Sequence, residues 1–152
     1  MNELSVATFI AAPPERVWDV MANRQDEWFC PAPWRSETIV QEKRAGGAYR
    51  SIFRGPEGEE MPQEGIYLAW EEGRMFATTE AVTGDLQPAE PFMIGIWEIA
   101  PDDGGTRFTA RARHWTKEAR QQHEDMGFQE GWGAAAAQLK AICEKESSTH
   151  AA

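Results

Sequence analysis

Apolar residues alternate with small or polar ones over Leu4-Ser-Val-Ala-Thr-Phe-Ile10, the period of a half-buried strand. Pro13-Pro14-Glu15 then puts proline and acid where a helix's first turn accepts them, and Val17, Trp18, Val20 and Met21 give that helix a buried side up to about Asn23. A second short helical turn, Gln25-Asp-Glu-Trp-Phe29, is ended by Cys30-Pro-Ala-Pro33, because proline disfavours helical geometry in the residue before it. From Ser36 the pattern is strand-like over Glu37–Glu42, Ala48–Arg54, Gln63–Trp70, Arg74–Val82, Phe92–Ala100 and Thr106–Trp115. Turn signals separate these runs: Gly46-Gly47, Gly55-Pro-Glu-Gly58, Glu71-Glu-Gly73, the polar stretch Thr83–Pro91, and Pro101-Asp-Asp-Gly-Gly105. After a polar joint containing His123, an amphipathic helix is expected near Thr116–Glu146, with Trp132, Leu139 and Ile142 on its buried side. A long helix that follows a run of strands must cover their apolar face, or neither element is stable. The pattern predicts a two-layer α+β fold in one domain, residues 1–146, with 147–152 as a disordered tail.

Bulk and small residues share the strand faces that turn inward. One face carries Met93, Gly95, Trp97 and Ile99, the next Phe108, Ala110, Ala112 and His114, and a third Tyr49, Ser51 and Phe53. Small residues beside aromatics either leave a cavity or are filled by neighbouring rings. His114 is the one histidine that alternation places with the buried set, either as a satisfied core residue or as a ligand donor or general base. Arg107, Arg111 and Arg113 stand on the opposite face with Glu98 across the hairpin, a stripe that surface ion pairs explain. Phe92, Ile94 and Ile96 oppose Met93 and Trp97 and make that strand apolar on both sides, so either a helix or a second subunit covers them, and a homodimer is expected.

Charge narrows the partners. Twenty-five acidic against fifteen basic residues give −10, which repels a nucleic-acid duplex or an anionic membrane surface, so neither is an expected partner. The start lacks the basic, apolar pattern of a secretion signal, and a cytoplasmic location is expected. Cys30 and Cys143 are too few and too far apart for a disulfide framework, and read as free thiols. The histidines show no metal-ligand spacing, so no metal and no cofactor are expected. No Gly-x-Ser-x-Gly elbow or Gly-rich phosphate loop is present, and no catalytic residue is assigned. Gly127-x-x-x-Gly131 reads as a place where the helix approaches the sheet closely rather than as a membrane motif.

Ala12-Pro-Pro-Glu-Arg-Val-Trp18, Trp28-Phe29, Gly46-Gly47, Gly104-Gly-Thr-Arg107 and Gly131-Trp132, in this order over nearly the whole chain, resemble the START-like (SRPBCC) superfamily. The closest likeness is to its subgroup named after the activator of Hsp90 ATPase homologue. The resemblance implies a helix-grip fold: a curved antiparallel sheet wrapped around a long C-terminal helix, two short helices after strand 1, and often a ligand cavity between sheet and helix. It brings no reaction with it. Trp28, Phe29, Trp34, Met126 and Phe128 are expected to rim such a cavity, and Tyr49, Phe53, Trp97 and His114 to line its walls. Three functions fit: a carrier or binder of a small apolar or aromatic molecule, a protein-interaction module with a chaperone partner, and a cyclase- or hydrolase-type enzyme. The last would need His114 or Tyr67 poised with an acidic group.

Overall fold

The computed structural model describes residues 2–150, without the side chains of residues 147–150. Its elements are β1 (Glu3–Ile10), α1 (Pro14–Asn23), a 3₁₀ turn (Gln25–Glu27), β2 (Arg35–Gln41), β3 (Ala48–Arg54), β4 (Glu60–Glu71), β5 (Met75–Thr79), β6 (Met93–Asp102), β7 (Gly105–His114), α2 (Lys117–Asp125) and α3 (Phe128–His150). The seven strands form one antiparallel sheet in the order β1-β7-β6-β5-β4-β3-β2, so every neighbour pair except β1–β7 is consecutive in sequence. This is the helix-grip arrangement that the pattern and the resemblance implied. The disordered tail expected over 147–152 falls at the end of α3 and beyond, where side chains or whole residues lie outside the described set.

Alternation decides which face is buried. On β7, Thr106, Phe108, Ala110, Ala112 and His114 are buried while Arg107 and Arg113 are exposed. On the outer face Arg113 pairs with Glu3 at 2.8 Å, Arg107 pairs with Asp102 at 3.0 Å, and Arg111 pairs with Glu98, as the stripe required. The inner face packs on α1 and α3 through a continuous core containing Ile10, Val17, Trp18, Met21, Trp28, Phe76, Phe108 and Leu139. Leu139 and Cys143 are wholly buried on α3, whereas Trp132 and Ile142 are half-buried and pack against the same core.

Polar ties fix α3 in the grip. Lys140 Nζ donates to the Phe9 carbonyl at 2.6 Å, and Glu144 accepts from the Ala11 amide at 2.8 Å. Gln138 accepts from the Ala32 amide at 2.8 Å and donates to the carbonyls of Trp28 at 2.9 Å and Cys30 at 3.0 Å. One α3 side chain thus holds the segment that carries Trp28, Phe29 and Cys30 against the helix.

Three local expectations are corrected. The helix foreseen near Thr116–Glu146 is two helices, because the chain breaks at Met126-Gly127, where Gly127 has φ +97°. Thr116 caps α2 by accepting from the Ala119 amide at 3.0 Å, and the Gly127 amide closes its far end on the Glu124 carbonyl at 3.0 Å. Gly127 and Gly131 make no close approach to the sheet, since a Cβ at either would meet nothing within 4 Å. Phe92 does not join Ile94 and Ile96 on the outer face. Glu80 accepts hydrogen bonds from the Phe92 and Met93 amides, the latter at 2.8 Å, and the chain before β6 turns the Phe92 ring inward.

Candidate functional site

Between the concave face of the sheet and α2–α3 lies a cavity of about 380 Å³. Its sheet wall comes from Tyr49, Ser51 and Phe53 of β3, Met61, Gln63 and Tyr67 of β4, Phe76 and Thr78 of β5, Met93 and Trp97 of β6, and Phe108 and Ala110 of β7. Gly131, Trp132 and Ala135 of α3 form the opposite wall, Trp28 to Pro31 close one end, and Met126 and His123 stand at the other. Met61 and Met126 also face solvent, with exposures of 50% and 68%.

The space exists because rings stack on one another rather than into the void. Trp97 stacks on Trp132 with centroids 5.4 Å apart and planes 11° apart, on Phe76 at 5.4 Å, and tilts against Phe29 at 5.3 Å. Gly95, two residues earlier on the same face, permits this pose, because a Cβ there would collide with the Trp97 ring. Phe29 in turn meets Phe53 at 6.2 Å and Trp28 at 5.3 Å. At the closed side Trp18 and Trp70 both donate their indole N–H to Glu72, at 2.9 Å and 2.8 Å. Those two bonds, Trp70's first, hold the Glu72 carboxyl below its usual range.

Of the nine residues expected at the site, Trp28, Phe29, Tyr49, Phe53, Trp97 and Met126 stand on the cavity wall. Trp34, Phe128 and His114 do not. Trp34 is half-buried at the approach to β2, and Phe29 and Pro31 take the wall at that end. Phe128 opens α3 and is drawn into a separate apolar cluster with Leu4 and Ala112. His114 is screened by His123, which the sequence had placed in a polar joint and which is 8% exposed. The break at Gly127 is what lets α2 turn its last helical turn inward. Gly127, between the polar run Lys117–Asp125 and the apolar-rich helix that opens at Phe128, was the available signal for this, and the sequence reading gave it to close sheet contact instead.

The two histidines are directly bonded. His114 Nδ1 lies 3.1 Å from the Asn2 carbonyl, and His114 Nε2 lies 2.9 Å from His123 Nδ1. Burial, and after it the neighbouring His114, push His123 down to about 4, so it is neutral at pH 7. Burial likewise raises the Tyr49 hydroxyl, with the Glu80 carboxylate adding to it, and raises Tyr67. Both tyrosines stay protonated as hydrogen-bonding groups. The Cys30 thiol is also raised by burial, which leaves it a weak nucleophile. The wall is more polar than the sequence implied, since Gln25, Ser51, Gln63, Thr78, Glu80 and His123 join the aromatic residues. Among the described residues no group of three or more His, Cys, Asp or Glu side chains converges as a metal site would need.

Fold and cavity together define a helix-grip domain of the START-like, SRPBCC type, with an aromatic-walled chamber between sheet and C-terminal helix. The chain belongs to the family described as activator of Hsp90 ATPase homolog 1-like protein, which matches residues 11–144. A crystal structure of a Nitrosomonas europaea protein is 33% identical and superposes with a TM-score of 0.88, with 96% of each chain covered. A Mycobacterium smegmatis protein is 28% identical with a TM-score of 0.76, covering 92% of this chain and 89% of that one. A Silicibacter pomeroyi protein, 17% identical with a TM-score of 0.71 over 95% of this chain and 99% of that one, shares the fold. No curated protein matches the chain. Among the described residues no helix is long and apolar enough to cross a membrane.

Proposed function

We propose that this protein binds a small, largely aromatic or acyl-like molecule in the chamber between sheet and helix, and that binding without bond breaking is its task. The observation that carries this reading is the cavity of about 380 Å³ whose wall is dominated by Trp28, Phe29, Phe53, Phe76, Trp97 and Trp132. That volume lies in the range of small-molecule sites, about 300–1,000 Å³. Burying about 200 Å² of apolar ligand surface is worth about 5 kcal/mol at about 25 cal/mol per Å². The matching area of cavity wall adds a comparable amount, so with an ordering loss of about 4 kcal/mol a Kd of about 40 μM remains. The groups present argue for holding rather than reacting: a raised thiol at Cys30, neutral tyrosines, and a histidine pushed to about 4 are weak nucleophiles and weak bases at pH 7.

The test is a titration with naphthalene and with laurate, followed by tryptophan fluorescence and melting temperature, on wild type and Trp97→Ala. A ligand present at ten times its Kd stabilises by about 1.4 kcal/mol, a rise of about 3–5 °C for a domain of this size. If neither probe moves either signal, the binding reading is wrong and the protein-interaction reading takes its place. As to assembly, Ile94 and Ile96 remain on the outer face of β6, half-buried beside Arg113 and Arg111, and Trp115 close by is 52% exposed. We propose a homodimer through that face; light scattering that gives a monomer mass across micromolar concentrations would rule it out.

A further inference from the structure

We propose that the cavity selects, among molecules of the class just described, those that carry a hydroxyl donor, and that Nε2 of His123 is the acceptor that holds it. The inference rests on the binding reading and adds the chemistry of one end of the ligand.

The direction of the hydrogen bonds follows from the groups at the far end. A main-chain carbonyl has no proton to give. The Asn2 carbonyl already accepts from the His114 amide at 2.8 Å, and it faces His114 Nδ1 at 3.1 Å, so that nitrogen must carry its hydrogen. With one hydrogen on each ring, His114 Nε2 is then a lone pair, and His123 Nδ1, 2.9 Å away, donates to it. This leaves Nε2 of His123 without a hydrogen, able only to accept. No described residue partners it, and among the described residues the only side-chain polar atom both fully enclosed and without a partner is Gln25 Nε2. It is therefore both unpaired and reachable, on a residue that lines the cavity.

The surroundings sharpen the selection. The His123 ring is flanked by Phe92 at 4.8 Å, Phe128 at 5.1 Å and Trp132 at 5.9 Å, so its free nitrogen is a polar point in an aromatic wall. A ligand with a hydroxyl there replaces the water that would otherwise satisfy it; a ligand with an ether or a bare edge removes the water and gives nothing back. No carboxylate backs the pair, because the chain of bonds ends on the Asn2 carbonyl. The arrangement fixes an acceptor and does not strengthen a base, which distinguishes it from a catalytic relay.

Two measurements test this. Long-range ¹H–¹⁵N correlation spectra of the unliganded protein at pH 7.5 should show His123 protonated at Nδ1 and bare at Nε2; the opposite tautomer overturns the proposal whatever binds. Titrations with 2-naphthol, 2-methoxynaphthalene and naphthalene should then favour the naphthol. That preference should shrink about tenfold in His123→Phe, which keeps an aromatic ring among Phe92, Phe128 and Trp132. In His114→Phe, where His123 is free to take either tautomer, the preference should fall part-way and the methoxy compound should gain. Equal discrimination in wild type and His123→Phe overturns the acceptor role while leaving the binding reading standing. Failure of all three compounds to bind overturns both.

Discussion

Lowering the pH from 7 to 5 should cost this protein about 2 kcal/mol of stability through His123. The side chain sits at about 4 in the folded protein, against 6.5 for an unperturbed histidine, because burial penalises the cation and His114 adds to the penalty. A depressed folded-state value means that the unfolded chain takes up the proton first. Stability is therefore fully present above about 6.5 and is lost as the pH falls toward about 4, at about 1.4 kcal/mol per pH unit in between. Around the ring, His114 of β7 adds to the penalty on the cation, Phe92, Phe128 and Trp132 are uncharged, and the Glu80 carboxylate on the cavity wall is engaged by the Phe92 and Met93 amides. At pH 5 the loss corresponds to about 4–8 °C in melting temperature for a domain of this size. Carboxylates held low by their partners, such as Glu72 and Glu144, lose their contribution only below their ordinary range, so the interval from 7 to 5 lies above them. The assay is thermal unfolding by circular dichroism at half-unit steps, on wild type and His123→Phe. Wild type should fall steeply over the interval and the variant should stay nearly flat; parallel profiles would refute the buried, neutral histidine.

Trp97→Ala removes the ring that stacks on Trp132 and Phe76 at once and should cost about 3–5 kcal/mol by urea unfolding, with altered emission from the remaining tryptophans. Gln138→Ala strips three hydrogen bonds from the segment that closes the cavity; it should cost about 1–3 kcal/mol and raise amide exchange over residues 28–33 more than over α3 itself. The two glycines of the α2–α3 joint should respond in opposite directions. Gly127→Ala is destabilising by about 1 kcal/mol, because φ +97° is strained for any side chain, whereas Gly131→Ala, inside α3 with open space around its Cβ, gains up to about 1 kcal/mol in helix propensity. Below the ordinary carboxylate range, protonation of Glu72 should free the Trp18 and Trp70 indoles, and Glu72→Leu should lose that part of the acid-induced fluorescence change.

The sheet was legible because strand periodicity is local. Thr106, Phe108, Ala110, Ala112 and His114 turn inward and the arginines between them turn out, whatever the neighbouring strands do. Six of the nine expected cavity residues stand on its wall: Tyr49, Phe53 and Trp97 are inward strand positions, Trp28 and Phe29 follow the turn after α1, and Met126 caps α2. What alternation could not reveal depends on single backbone events. Phe92 has the parity of Ile94 and Ile96, and only the pull of Glu80 on the Phe92 and Met93 amides takes it out of register. His123 is flanked by Gln121, Gln122, Glu124 and Asp125, a context that reads as solvated; it is buried because Gly127 breaks the helix. Phe128 stands off the wall because a phenylalanine beside a cavity is indistinguishable in sequence from one that has found another core, and Trp34, half-buried before β2, lies outside the wall that Phe29 and Pro31 complete.

The placement of polarity in the chamber follows from this division of labour. The strands supply aromatic area at inward positions, and Gly95 lets the largest ring lie back along the sheet so that stacking with α3 keeps the space open. Their own polar groups on that wall, such as Ser51, Gln63 and Thr78, sit at inward positions among the rings. The histidine pair is different in kind. One member ends β7, the other stands in the last turn of α2, and the bond between them requires the joint at Gly127 to fold α2 back over the sheet. Closure of the cavity end and orientation of its acceptor are thus one structural event. A substitution that disturbs the joint should therefore alter both the melting profile between pH 7 and 5 and the preference for hydroxylated ligands, while a change confined to the strand wall should alter affinity for all apolar ligands alike.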